Sequence, residues 1–478
     1  MNYSIIRYIL GCVFNFEAVF LVLPCVVSVI YKEAEGFDYL IALLISLTIG
    51  ILLTRKKPKS SVFYTREGFV AVALSWLAMS VIGALPFVIS GDIPRFTDAL
   101  FEIISGFTTT GGSILTNVEA LSYTSLFWRS FSNWIGGMGV LVFILAIMPL
   151  AGGSNMHLMR AESPGPYVGK LVPRVRSTAM ILYGIYVSMT IAQIFLLLIS
   201  KIPLFDAVTL SFSTAGTGGF AVKNTSLSDY AWYVQLNVTI FMFLFGVNFN
   251  VYYLLLIKKI KAAFAIEELR YYTGIVLLCV FIIAINIKDT FKSFLEALHH
   301  SAFQVSSIIT TTGFSSMDFN TWPELSRSIL VVLMFVGACA GSTGGGIKVS
   351  RLIVLVKTIG HEISRCIHPR SIKIIKMDGK KVEDQVIKSI NVYLISYLLI
   401  FAVSVIIVSL DNFDLITNFT AVAATFNNIG PGLGLAGPTG SFFMFSDLSK
   451  FVMMFDMIAG RLEIIPILVL FAPATWKK

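Results

Sequence analysis

Ten stretches of this chain are long enough to cross a lipid bilayer and carry apolar residues on every face. They run roughly 8–30, 37–54, 66–90, 125–150, 178–200, 231–257, 271–287, 327–356, 387–410 and 447–473. A spanning helix needs about 20 consecutive apolar residues. A surface helix of a water-soluble domain would instead alternate apolar and polar faces with a period near 3.6. Charged residues make up 13% of the chain, against roughly 25% in soluble domains. The expectation is an all-α, multi-pass protein of the cell membrane. The first run is too long for the apolar segment of a signal peptide, and no small-residue cleavage site follows, so it reads as a retained span. Five scattered cysteines, Cys12, Cys25, Cys279, Cys339 and Cys366, do not form a disulfide framework.

Between the spans lie four shorter segments, at about 96–115, 204–220, 293–314 and 413–434, each ending in glycine. They read FTDALFEIISGFTTTGGS, LFDAVTLSFSTAGTGGFA, ALHHSAFQVSSIITTTGFS and FDLITNFTAVAATFNNIGPG. Asp98-Ala99 and Asp206-Ala207 stand at the same interval before Gly111 and Gly219, and Gly313 and Gly430 fit the third and fourth copies. An apolar run precedes and follows each copy, so the repeating unit is helix, short pore helix, glycine loop, helix. Four parallel units can close a ring around one axis.

Charge orients this layout. With both termini cytoplasmic and the short segments dipping in from outside, 26 of the 36 Lys and Arg residues fall inside and nine outside, leaving Arg461 in a helix. That bias obeys the positive-inside rule. The outer parts hold 16 acidic residues, so the outer mouth is net negative at −7, which concentrates cations there. The overall +9 therefore reports orientation and implies no nucleic-acid partner.

Non-helical backbone at membrane depth is tolerable only where protein buries it or it lines a water-filled cavity. The four loops offer carbonyl oxygens and threonine hydroxyls but no carboxylate, a poor set for a hard divalent cation. Carbonyl rings replace the water shell of a monovalent cation. The partly negative C-termini of the short helices would favour the same charge. No Ser/His/Asp set, paired carboxylates or metal cluster stands at membrane depth, so an enzyme is not expected.

These features resemble the Trk/Ktr/HKT superfamily of potassium transporters, and among them the TrkH-type membrane subunits. FNNIGPGLG at 426–434, GACAGSTGGGIKVSR at 337–351, AGRLEI at 459–464 and WIGGMGVLV at 134–142 carry the likeness. It implies a potassium-channel-like fold: two N-terminal transmembrane helices (1–60), then repeats over 61–160, 161–262, 263–375 and 376–478 around a central pore. It further implies a potassium filter lined by Thr109, Thr110 and Gly111; Thr217, Gly218 and Gly219; Thr311, Thr312 and Gly313; and Asn428, Ile429 and Gly430. In the second copy, STAGTGGF, an alternative register around Gly216 lies up to three residues earlier. Serine at the position of Gly111 accompanies sodium-selective plant members, so glycine there favours potassium. Potassium is then the transported substrate, and no cofactor is expected.

The glycines at 337–346 interrupt the eighth span, where each costs roughly 1 kcal/mol relative to alanine. The string resembles a phosphate loop only superficially, since no strand precedes it and Lys348 does not directly follow the glycines. A packing kink is one reading. The other, which the resemblance also implies, is a gate below the filter formed by Gly341, Ser342, Thr343, Gly344, Gly345, Gly346 and Lys348. Arg461, a costly intramembrane cation, either pairs with another helix or stands beside the ion path against this loop. Glu17 in the first span is read as structural.

The largest cytoplasmic loop, about 357–388, holds a β-hairpin signal, MDGKK; its His361, Cys366 and His368 are too scattered to argue for a metal site. No segment is large enough for a nucleotide-binding domain. The resemblance implies a separate regulatory subunit of the TrkA type docking there, and a homodimer in the membrane. A sodium- or proton-coupled secondary transporter is the alternative, but such proteins typically carry inverted repeats.

Overall fold

The computed structural model describes residues 1–58, 64–139, 175–369 and 374–477. It is a helical membrane protein. Among the described residues six helices are long and apolar enough to cross a bilayer, or seven when one bent pair is joined. They are Tyr3–Tyr31, Gly36–Thr54, Thr65–Ser90, Ala179–Ile199, Glu267–Thr290 and Asp384–Asp411. The fourth expected span is described over Tyr123–Met138; its remainder from 140 on, and most of the basic stretch 160–176, lie outside the described residues.

The first two helices form a close antiparallel pair. A side chain at Gly11 would run into Leu53 and Thr54, and one at Gly50 would strike Asn15. Small residues let helix backbones approach in lipid, where no hydrophobic drive brings helices together. Ser46 adds a hydrogen bond to the Phe14 carbonyl at 2.9 Å.

Three expected spans are not continuous helices. The run 231–257 divides into Trp232–Phe245 and Phe249–Leu256, bent by 89°. Asn248 caps the second piece by accepting from the Asn250 amide at 2.9 Å. The run 327–356 divides into Glu324–Val336 and Val349–Ile367 around the glycine string. The run 447–473 divides into Asp447–Arg461 and Ile465–Phe471. Glu463 and Ile464 there take φ of +57° and +69°, and Pro466 opens the next helix, where its missing N–H leaves no bond unmade. Hydropathy registers apolar length and is blind to such turns.

The four short segments are helices over Phe96–Phe107, Leu204–Gly216, Phe294–Ile309 and Leu415–Phe426. At a rise of 1.5 Å per residue each is about 18–24 Å long, below the roughly 30 Å of a hydrocarbon core. They are packed into the protein centre: Ala99, Phe101, Phe107, Ala207, Leu210, Phe303 and Ala421 are fully buried. Trp128 holds the first in place, with its indole N–H on the Gly83 carbonyl at 3.0 Å and its ring edge-on to Phe107. MDGKK forms a two-residue hairpin between Lys376–Met377 and Lys380–Lys381, with Asp378 and Gly379 both at positive φ, as a type I′ turn requires.

Candidate ion-binding site

Each short helix ends in the same turn. The amides of Thr110, Gly218, Thr312 and Ile429 reach back to the carbonyls of Ser105, Ser213, Ser307 and Ala424, each at 2.8 Å. That bond, six residues back to one, is the signature of a Schellman cap, whose preceding residue is left-handed. Thr109, Thr217, Thr311 and Asn428 occupy that place, with φ between +53° and +58°. Two residues later Gly111, Gly219, Gly313 and Gly430 are again at positive φ, from +67° to +100°. Four loops with different side chains thus share one backbone path. In the second copy this path falls on Thr217 to Gly219.

The four loops meet one another in chain order. A side chain at Gly111 would collide with the Gly218 carbonyl oxygen, one at Gly219 with the Thr312 oxygen, and one at Gly313 with the Ile429 oxygen. At Gly430 a Cβ would lie 2.8 Å from the Thr110 oxygen, which closes the circuit. All four glycines line one cavity of about 250 Å³. Below them the threonines and Asn428 are fully buried. The absent Cβ atoms are therefore what lets four carbonyl-bearing strands come this close.

Threonine in a left-handed conformation is strained, at a cost on the order of 1–3 kcal/mol per residue. Glycine would relieve it, so the hydroxyl or its surroundings must compensate. Thr311 Oγ1 accepts the Gly345 amide at 2.6 Å. Asn428 Nδ2 donates to Thr110 Oγ1 at 2.9 Å and to the Met457 carbonyl at 2.8 Å. Thr109 Oγ1 and Asn428 Oδ1 are buried without a hydrogen-bond partner among the described residues. A ring of such oxygens can replace the hydration shell of a monovalent cation.

The glycine string 337–348 packs against the underside of this ring. A Cβ at Gly344 would lie 2.8 Å from the Thr310 carbonyl oxygen, and one at Gly345 would fall 3.2 Å from Asn428 Cβ. Thr343 Oγ1 reaches the Phe245 carbonyl at 3.2 Å. Lys348 folds back to donate to the Gly344 carbonyl. Arg461 donates to the Thr343 carbonyl at 2.8 Å and to the carbonyls of Gly136 and Gly137. It thus joins the string to the helix Tyr123–Met138. A central intramembrane arginine costs about 3 kcal/mol on insertion scales, while each hydrogen bond to a charged group returns about 1.5–3 kcal/mol, so three bonds make the position tenable.

A carboxylate not anticipated from the sequence staples this string. Glu268 Oε1 accepts from the Ala340 amide at 2.6 Å and the Ser350 amide at 3.1 Å, and Asn248 Nδ2 stands 3.4 Å from Oε2. Arg351, at the string's far end, pairs with Glu463 and lies over the Tyr393 ring at 4.1 Å.

Across residues 36–478 the chain matches the family described as TrkH, cation transport protein. It belongs to the TrkH family. It is 34% identical over 486 residues to the "Trk system potassium uptake protein TrkH" of Salmonella typhimurium, with both chains covered in full. It is 35% identical to the "Trk system potassium uptake protein TrkG" of Escherichia coli, over 95% of this chain and 94% of that one. The crystal structure of the potassium transporter TrkH from Vibrio parahaemolyticus superposes with a TM-score of 0.89 at 31% identity, each chain covered in full. As a TrkH-family protein it is a membrane ion transporter, not an enzyme.

Two further buried charges in this TrkH-family chain correct the charge map. Arg129 and Lys450 count as outer-face residues by position, with Arg461 the single helical cation. Both instead lie within helices and are buried. Arg129 pairs with Glu102 at 2.8 Å, and Lys450 with Asp98 at 2.6 Å. Asp206, the match of Asp98 in the second copy, accepts from the Tyr230 hydroxyl at 2.7 Å. The repeated Asp was visible as a pattern; its partners, far away in sequence, were not.

Proposed function

We propose that this TrkH-family protein takes up potassium across the cell membrane through a central, carbonyl-lined filter. On this reading the two N-terminal helices precede four parallel repeats of helix, pore helix, filter loop and helix. Thr109 to Gly111, Thr217 to Gly219, Thr311 to Gly313 and Asn428 to Gly430 supply the ring that holds the dehydrated ion. The observation that carries it is the convergence of Gly111, Gly219, Gly313 and Gly430, all left-handed, on one cavity. The potassium named for the Salmonella and Vibrio relatives supports the choice of ion.

The string from Gly341 to Lys348, with Arg461, is the gate. Its support is its place under Thr310, Thr311 and Asn428 and its attachment by side chains from three other elements. A cationic Arg461 below the filter opposes a resting cation. The charge bias of the loops supports cytoplasmic termini. A second copy of this chain and a TrkA-type cytoplasmic nucleotide-binding subunit are the proposed partners; the "Trk system" wording of the relatives' names supports a multi-component assembly.

The test is flux into proteoliposomes with K⁺, Rb⁺, Na⁺ and Li⁺ in turn, with and without a pH gradient. Uptake of K⁺ and Rb⁺ well above Na⁺ and Li⁺, without need of the gradient, is expected. Equal uptake of all four ions would overturn the filter, and strict dependence on the gradient would move the protein to the coupled-transporter class.

A further inference from the structure

The four filter loops are joined side to side at four seams. Between the second and third loops, the Ser315 amide donates to Ser226 Oγ at 3.1 Å, and the Leu227 amide donates to the Ser315 carbonyl at 3.0 Å. Between the third and fourth, Asn320 exchanges bonds with the Gly434 backbone. Between the fourth and first, the Phe442 amide donates to the Ser113 carbonyl at 2.9 Å. The helices flanking this last seam are also tied by the buried pair of Lys450 with Asp98 at 2.6 Å. Between the first and second, the Val118 amide donates to Asn224 Oδ1 at 2.7 Å, and deeper down Arg129, paired with Glu102 of its own copy, reaches across to the Ala221 carbonyl.

Glu102 lies on the first short helix, nine residues before Gly111, and is fully buried. Both its oxygens accept from Ser113 Oγ, at 2.9 and 3.0 Å, and Oε2 accepts from the Ile114 amide at 3.0 Å. Arg129 Nε donates to Oε1 at 2.8 Å. One remaining nitrogen of Arg129 reaches the Ala221 carbonyl at 3.3 Å and the other Ser113 Oγ at 3.4 Å. Its guanidinium stands 4.2 Å from the Phe220 ring centroid. Ser113 and Ala221 are each two residues past a filter glycine. One side chain therefore holds the exits of both loops, and it borders the cavity above the filter. The positions matching Glu102 in the other copies are Leu210, Gln304 and Ala421, so no second carboxylate stands in this register.

We propose that Arg129 and Glu102 are positioning residues that fix the spacing of the first and second loops and thereby set ion discrimination. This rests on the filter reading given above. Glu102 also neutralises the arginine charge at the mouth a cation must cross. The guanidinium fork is essential, because lysine would keep the charge and the pair with Glu102 but could not bond both loops at once.

The test measures K⁺/Na⁺ flux ratios in proteoliposomes for the parent, Arg129→Lys, Glu102→Gln and the doubly neutral Glu102→Gln/Arg129→Gln, alongside melting temperature in detergent. Gly111→Ser serves as the filter control. The expected result is a fall in the ratio of about fivefold or more in Arg129→Lys, with a melting temperature close to the parent's. The double variant, which buries no unpaired charge, folds and shows the same loss. If Gly111→Ser lowers the ratio while every clamp variant that inserts stays within twofold of the parent, the clamp is refuted and the filter stands. If Gly111→Ser is also without effect, both fall. A melting temperature that drops while the ratio holds would reduce the pair to a structural one.

Discussion

The filter ring and the glycine string beneath it are both built from glycine at positive φ, yet they are held in different proportions by local and remote bonds. In the ring, each loop is fastened by bonds to its own short helix, and the glycines leave room for a neighbour's carbonyl. The string caps the helix Glu324–Val336 only at its edges, through Gly337 and through the Ile347 and Lys348 amides on the Phe335 and Val336 carbonyls. Otherwise it is fastened by side chains arriving from elsewhere: Glu268 at its ends, Arg461 and Thr311 at its middle. Local backbone bonds persist as long as the helix does. Bonds to remote side chains break whenever the remote element moves. The ring is thus suited to a fixed geometry and the string to two positions.

The contrast can be broken most sharply at the ring. Gly313→Ala forces a Cβ into the Ile429 carbonyl and a left-handed alanine, the latter alone costing roughly 1–2 kcal/mol. K⁺/Na⁺ selectivity measured by competing uptake should collapse by about a hundredfold, equivalent to about 2.7 kcal/mol. Unaltered selectivity would mean the ring tolerates what its geometry forbids.

The string should respond in gating, not in selectivity. Glu268→Ala leaves the Ala340 and Ser350 amides without their acceptor, at about 1–3 kcal/mol for each buried group left unmade. Leak flux in the closed state should rise by an order of magnitude while the K⁺/Na⁺ ratio is kept. A variant as tightly shut as the parent would remove Glu268 from the gate.

Arg461→Gln should act in the same direction but more weakly, since Thr311, Glu268 and Lys348 still hold the string. Replacing its charge-assisted bonds should raise K⁺ flux by roughly threefold, about 0.7 kcal/mol. Reduced flux would show that the arginine aids conduction.

The smallest effect belongs to a cap far from the ion path. Asp414 opens the fourth short helix and accepts the Thr417 amide at 3.0 Å. Asp414→Ala should lower stability by about 1 kcal/mol, read as thermal melting in detergent, with flux ratios unchanged. A changed ratio would mean that the helix start and the filter are coupled more tightly than the turn geometry implies.

What was legible in advance followed from local properties. Apolar length marked the spans, and recurring glycine at the end of each short segment marked the four turns. The fourth turn was legible despite Asn428 and Ile429 in place of two threonines, because its glycine and its flanks kept their spacing. The breaks at Gly246 to Asn248 and at Glu463 to Ile464 were hidden, since their neighbours are as apolar as any span. Glu268 was hidden as well, because it looks like one acid in a charged loop.

The sequence by itself determined that the chain lives in a bilayer and bends four times at glycine, because hydropathy and φ preference act over a few residues. Only the tertiary structure decided which loop touches which, and that Glu102 meets Arg129 and Asp98 meets Lys450 across as many as 352 positions. A buried charge takes whatever partner packing brings within about 3 Å, and no local rule of the chain specifies that neighbour.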